Sequence, residues 1–287
     1  MKRFMMSGVL ALAIAVPGLL AQPKPKSKGE VEALQALFKA QSPDERIAAA
    51  ENVLTKYADT EFKSVALFME ADAYQQKHDY ENTVVYGERS LEADPKNYGA
   101  MLLLAQQIVQ HTKEFDLDKE EKLAKVDKYA KGAIDTVKDA SKPNTNLTDD
   151  QWAGAKKQVT AQSHVTMGMA AMLRKKPDVA AAEFKTSLEG DDKPDPATLV
   201  RLGVAYSQDG KYDDAVAQFD KVMAMPDVSS TIKQYAQAER VRTIQKKNPG
   251  GASTGTSSVN PATPPKPAAP DNPPATPPTP PADPKKE

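Results

Sequence analysis

The segment from Leu199 to Pro226 most constrains what this chain can fold into: Leu199-x2-Leu202-Gly203-x2-Tyr206, then Gly210, Tyr212, Ala215-x3-Phe219 and Pro226. Its apolar residues recur at the spacing that gathers them on one face of a helix, and the pattern restarts after Gly210. Two short amphipathic helices joined by a tight turn cannot bury their apolar faces alone, so a chain with one such hairpin must carry others for it to stack on. Gly203 and Ala215 are small enough to let paired helices approach, and Tyr206 and Phe219 are placed to fill the space between successive hairpins.

The letters recur with decreasing clarity. Stepping back 35 residues gives His164-x2-Met167-Gly168-x2-Ala171 and then Ala180-x3-Phe184. Leu67-x2-Glu70-Ala71-x2-Tyr74 precedes Tyr80, Thr83, Ser90, Leu91 and Pro95, with Gly87 where an aromatic is expected. Met101-x2-Leu104-Ala105-x2-Ile108 follows 34 residues later, and Ala33-x2-Ala36-Leu37-x2-Ala40 lies 34 residues earlier. The close crossing of paired helices is therefore predicted at Leu37, Ala71, Ala105, Gly168 and Gly203. Period and letters together resemble the tetratricopeptide repeat (TPR) family. The resemblance implies an all-α chain: a right-handed α-solenoid of about five TPR-like helical hairpins with a C-terminal capping helix and a disordered Pro-rich tail.

The expected hairpins lie near residues 30–63, 64–97, 98–140, 148–194 and 196–229, with the cap at 230–247. The third carries an insertion, because Ala105 and Gly168 are 63 residues apart rather than 34 or 68. Ser42-Pro43-Asp44-Glu45 and Thr148-Asp149-Asp150-Gln151 are capping boxes, each opening a helix. The second of these helices is expected to run through Trp152 toward Arg174 and to overhang a normal hairpin.

Both ends look non-globular. Lys2 and Arg3 precede an uncharged run from Phe4 to Ala21 broken by Pro17-Gly18, so residues 1–21 read as a secretory signal peptide cut after Ala21. The alternative is an uncleaved membrane anchor, since 18 uncharged residues just suffice to span a bilayer. Residues 22–29 form a short basic linker, expected to be a solvated spacer. Residues 248–287 hold 13 of the 23 prolines and no aromatic residue, a composition that cannot form a core and predicts a disordered, polyproline II-rich tail. The chain has no cysteine, which excludes disulfides and thiolate chemistry. The start and the resemblance point to an exported, periplasmic or secreted, bacterial protein.

No catalytic, metal or cofactor site is read. His78, His111 and His164 fall on different hairpins without ligand spacing, and the acids Glu189, Asp191, Asp192 and Asp195 read as a solvated loop. A formal charge of −1, or −3 without residues 1–21, recruits no nucleic acid. In the TPR family the first helix of each hairpin lines a concave groove. By register that implies a partner-binding face of Leu34, Phe38, Phe68, Asp72, Gln75, Leu102, Gln106, Val165, Met169, Met172, Val200, Val204 and Gln208. These positions lack the Lys, Asn and Arg with which some relatives grip a carboxylate terminus, so the expected occupant is a segment of another protein, an envelope protein, with apolar anchors. The expected function is a non-enzymatic interaction scaffold. Its rival is an envelope structural or assembly factor whose Pro-rich tail spans or tethers to the cell wall.

Overall fold

A computed structural model of the chain describes residues 24–142, 147–191 and 193–249. Among the described residues the secondary structure is entirely helical: α1 (Lys28–Lys39), α2 (Pro43–Lys56), α3 (Lys63–Gln76), α4 (Tyr80–Ala93), α5 (Tyr98–His111), α6 (Lys119–Asp139), α7 (Asp149–Leu173), α8 (Pro177–Ser187), α9 (Pro196–Gln208), α10 (Tyr212–Ala224) and α11 (Ser230–Lys247). Residues 1–21 and 250–287, to which the signal and almost all of the tail were assigned, lie outside the described residues, as does Asp192.

Local chemistry sets the helix starts. Ser42 and Thr148 each accept a hydrogen bond from the backbone N–H three residues on, and Glu45 and Gln151 reach back to the cap, completing both capping boxes. Asp79, Asn97, Asp195 and Ser229 cap α4, α5, α9 and α11 in the same way. Pro43, Pro177 and Pro196 occupy the first helical turn, where a missing N–H costs nothing.

Each helix packs against the next in chain order, and α5 also touches α3 and α7, as α9 touches α11. The stack is an α-solenoid held by close crossings. A Cβ built on Gly168 would lie 2.5 Å from the Phe184 ring, and one on Gly203 would lie 2.6 Å from the Phe219 ring. Both phenylalanines are fully buried. Each covers the glycine of its own hairpin while reaching the next element: Phe184 joins Leu202 and Ala205 of α9, and Phe219 joins Ala236 of α11. The α3–α4 hairpin solves the crossing differently. Gly87 stands at the register of the two phenylalanines, and Leu104 of α5 fills that space, 2.8 Å from where a Cβ would be.

The insertion is absorbed as helix. α6 has 21 residues and α7 has 25, about 38 Å at 1.5 Å per residue. Their added turns form a core of their own, in which Ala133, Val137 and Ala140 meet Val159 and cover Tyr98 and Leu102 of α5, with Trp152 packed alongside. Buried hydrogen bonds reinforce the stack. Asn97 Nδ2 donates to Ser64 Oγ (3.0 Å) and Ser90 Oγ (3.1 Å), tying α3, α4 and the start of α5, while Thr243 Oγ1 donates to Ser207 Oγ (2.9 Å) to seat α11 on α9.

One reading is corrected. The basic stretch before α1 is no free spacer: Lys24 N–H donates to Glu61 (3.1 Å) and Lys26 Nζ to both the carbonyl (2.6 Å) and the carboxylate (2.9 Å) of Asp59. Two lysines beside two acids on the α2–α3 turn make a local strap. Glu30 completes it, its buried carboxylate accepting from Thr60 Oγ1 (2.6 Å).

The turns within three hairpins share a left-handed residue: His78 (φ 59°), Lys175 (φ 58°) and Gly210 (φ 78°). A side chain there costs about 1–2 kcal/mol, whereas glycine costs roughly 0.5–1 kcal/mol in lost chain freedom. His78→Gly should therefore stabilise the chain by up to about 1 kcal/mol. Gly210→Ala should destabilise it by about 1 kcal/mol although nothing lies within 4 Å of the added Cβ. Urea unfolding of the two variants checks the opposite signs.

Candidate partner-binding groove

The overhang of α7 helps to build a groove of about 690 Å³. Gly154, Lys157, Gln158, Ala161, Gln162, Val165 and Met169 recur at three- and four-residue steps and so form one face of α7. Gln106, Val109 and Gln110 of α5 form the opposite wall, and Thr198 and Arg201, one turn apart on α9, close the end with Leu188, Asp191 and Asp195 from the α8–α9 connection.

The floor is mixed in character. Val165 and Met169 supply apolar surface, while four glutamines supply amides, of which Gln106 Nε2 reaches Gln162 Oε1 at 3.4 Å. Lys157 Nζ donates to the carbonyl of Gly190 and so tethers the connection to α7. Asp195 is engaged as the cap of α9, accepting from the N–H (2.9 Å) and hydroxyl (2.7 Å) of Thr198, and Asp191 accepts from the Lys193 N–H (3.0 Å). These acids thus shape the loop. Arg201 is half-buried and makes no ion pair with any described residue.

The residues expected on the partner face divide. Gln106, Val165 and Met169 line this groove. Met172 and Gln208 line a second hollow of about 620 Å³ with Glu114, Lys175, Tyr212 and Lys246. Leu102 (6 % exposed) and Val200 (5 %) are core residues instead. The long α6 and α7 cover Leu102, and Phe219, Val222 and Ala236 enclose Val200. Leu34 is likewise buried, among Ala50, Val53 and Ala66. Phe38 is exposed, and Phe68, Gln75 and Val204 are half-buried, outside both hollows. Asp72 already accepts from Arg46 Nη1 (3.0 Å) and Gln76 Nε2 (2.7 Å), and burial pushes its carboxyl up against the pull of Arg46.

Lys157, Gln158, Gln162, Thr198 and Arg201 were absent from the register reading. The face of α7 was legible as an i, i+4 series running back from Met169, but the register assigned groove positions only within one standard hairpin length. Two of the three histidines make side-chain contacts, and His78 is exposed in the α3–α4 turn. His111 stacks on Tyr80 at 4.1 Å, and His164 Nδ1 lies 2.7 Å from Glu183 Oε2. Among the described residues no three metal-ligating side chains gather, and no helix is long and apolar enough to cross a membrane.

The division of Leu102 from the groove is checkable. Leu102→Lys should destabilise the chain by about 3 kcal/mol or more by burying an unpaired charge, whereas Gln158→Lys on the open groove wall should stay within about 0.5 kcal/mol of the parent. Equal melting temperatures for the two variants would place Leu102 at the surface.

Residues 196–226 match the family model of the tetratricopeptide repeat. No curated protein matches the chain in sequence. Among solved structures, the assembly chaperone of RpL4 (Acl4), residues 1–338, is similar at 14 % identity over 77 % of this chain and 98 % of its own, with a TM-score of 0.41. The TPR domain of P58(IPK) is similar at 10 % identity over 77 % of this chain and 66 % of its own, with a TM-score of 0.29. The matched residues form α9 and α10, so that hairpin is a tetratricopeptide repeat, and helical hairpins stack before it in the same α-solenoid.

Proposed function

We propose that the chain is an exported, non-enzymatic scaffold that holds an extended segment of another protein, an envelope protein, in the groove between α5, α7 and α9. The observation that carries this reading is Arg201, which makes no ion pair with any described residue, in a groove with an apolar strip at Val165 and Met169 and glutamines along both walls. An extended segment presents a backbone N–H and C=O at every residue, and glutamine amides can donate to and accept from them. An apolar side chain of the partner seats on Val165 and Met169, where methionine adapts to its shape. A carboxylate of the partner pairs with Arg201, which sets direction along the groove. Because packed helices build the walls before anything binds, little ordering cost opposes association. Export rests on residues 1–21, and the absence of cysteine is compatible with it.

That absence also supplies the test. A single cysteine introduced by Gln158→Cys in the groove, or by Val179→Cys on the exposed side of α8, can carry a photo-activated cross-linker at one defined place. The groove position should give a discrete adduct in envelope preparations, and Arg201→Glu should reduce that adduct by about tenfold or more. An adduct formed from Val179 alone, unaffected by Arg201→Glu, would move recognition to the outer helices and contradict the reading.

A further inference from the structure

Glu70 of α3 stands at the register where α5, α7 and α9 carry Leu104, Met167 and Leu202, all of them buried. Glu70 is buried as completely as they are, at 0 % exposed, and neither of its carboxyl oxygens has a hydrogen-bond partner among the described residues. An ionised carboxylate in that position forfeits more in hydration than its neighbours return, whereas the protonated acid forfeits far less.

The surrounding groups reinforce that imbalance. From α2 comes the exposed Glu51, whose charge disfavours a second carboxylate; from α4 come the Tyr86 hydroxyl and the exposed Arg89, which favour one. α5, packed on both α3 and α4, carries no Asp, Glu, Lys or Arg, its titratable groups being Tyr98 and His111 at its two ends. Desolvation dominates and pushes the Glu70 carboxyl up to about 7, and the Tyr86 hydroxyl up to about 12. Beside Glu70 two rings stack: Tyr74 and Tyr86 sit 5.2 Å apart at 20°, with the Arg89 guanidinium 5.0 Å from the Tyr86 centroid.

We infer that Glu70 is a proton-gated latch on the first two hairpins: with its proton it stays buried beside the Tyr74–Tyr86 pair and holds α2, α3 and α4 together, and without it the carboxylate moves out toward Arg89 and water, parting the rings and loosening that end of the stack. The carboxyl is harder to ionise when folded than its ordinary value of 4.5. The stability it contributes is therefore complete below about pH 4.5, declines as pH rises toward about 7, and is gone above that. The latch is separate from the groove of α5, α7 and α9, and its partner is the proton.

Hydrogen exchange of the full chain at pH 5.5 and pH 8, corrected for the intrinsic pH dependence of exchange, reads the latch directly. Protection of α3 and α4 should fall by about tenfold or more at the higher pH while α9 and α10 hold theirs. Glu70→Gln, which keeps the shape and cannot ionise, should abolish the fall. Unchanged protection of α3 and α4 in the parent, or an equal fall in Glu70→Gln, would overturn the inference. Should that variant fail to fold, carbon-detected NMR titration of the parent decides: a Glu70 midpoint near pH 7 supports the latch, and one below pH 5 overturns it.

Discussion

The seating of an aromatic ring on a glycine is the contact on which the stack depends. In the α7–α8 and α9–α10 hairpins, Phe184 and Phe219 lie so close to Gly168 and Gly203 that no Cβ fits between. Fully burying a phenylalanine contributes about 1.5–3 kcal/mol, and the same ring then reaches the following helix, so one contact sets both the crossing within a hairpin and the spacing to the next. Stability in such a stack is the sum of unit and interface contributions, which is why a single wrong crossing affects its neighbours. The α3–α4 hairpin departs from the pattern, placing Gly87 against Leu104 and Glu70 in the interior. It is the hairpin whose packing responds to protons in the account given above.

The groove follows from the one place where the period is broken. Added length in α6 and α7 does two jobs: on one face it covers Leu102 and Tyr98, and on another it raises the wall that carries Lys157, Gln158 and Gln162. A regular array would have a shallower wall there. The groove lies between that wall and α5, and Arg201 lines it nearly two helical turns beyond the cap of α9.

How much of this was legible in the sequence depends on the kind of information each feature carries. Helix starts at Ser42 and Thr148 were legible because a capping box is local chemistry, satisfied within four residues. The crossings at Gly168 and Gly203 were legible because the small and large residues recur at fixed intervals. Leu102 and Val200 were misread because register places a residue at an angle around its helix without saying which neighbour covers that angle. Successive residues differ by about 100° around the axis, so Val200 is core while Arg201 faces the groove. Lys24 and Lys26 were misread for a related reason: their partners Asp59 and Glu61 lie a whole hairpin away in sequence. The buried Glu70 was visible as a letter out of pattern, but only packing reveals that its carboxyl oxygens lack a hydrogen-bond partner among the described residues.

The central claim, that glycine is required at the crossing because a phenylalanine ring occupies the space, is tested most directly by a double-mutant cycle on Gly203 and Phe219. Gly203→Ala alone should cost about 1–3 kcal/mol through overpacking, and Phe219→Leu alone a comparable amount through lost contact. If the ring is the reason for the glycine, the alanine should cost much less once the ring is gone, and the double variant should be more stable than the sum of the two losses predicts by about 1 kcal/mol or more. Additive losses within about 0.5 kcal/mol would show that the two positions do not share that space, and would contradict the account.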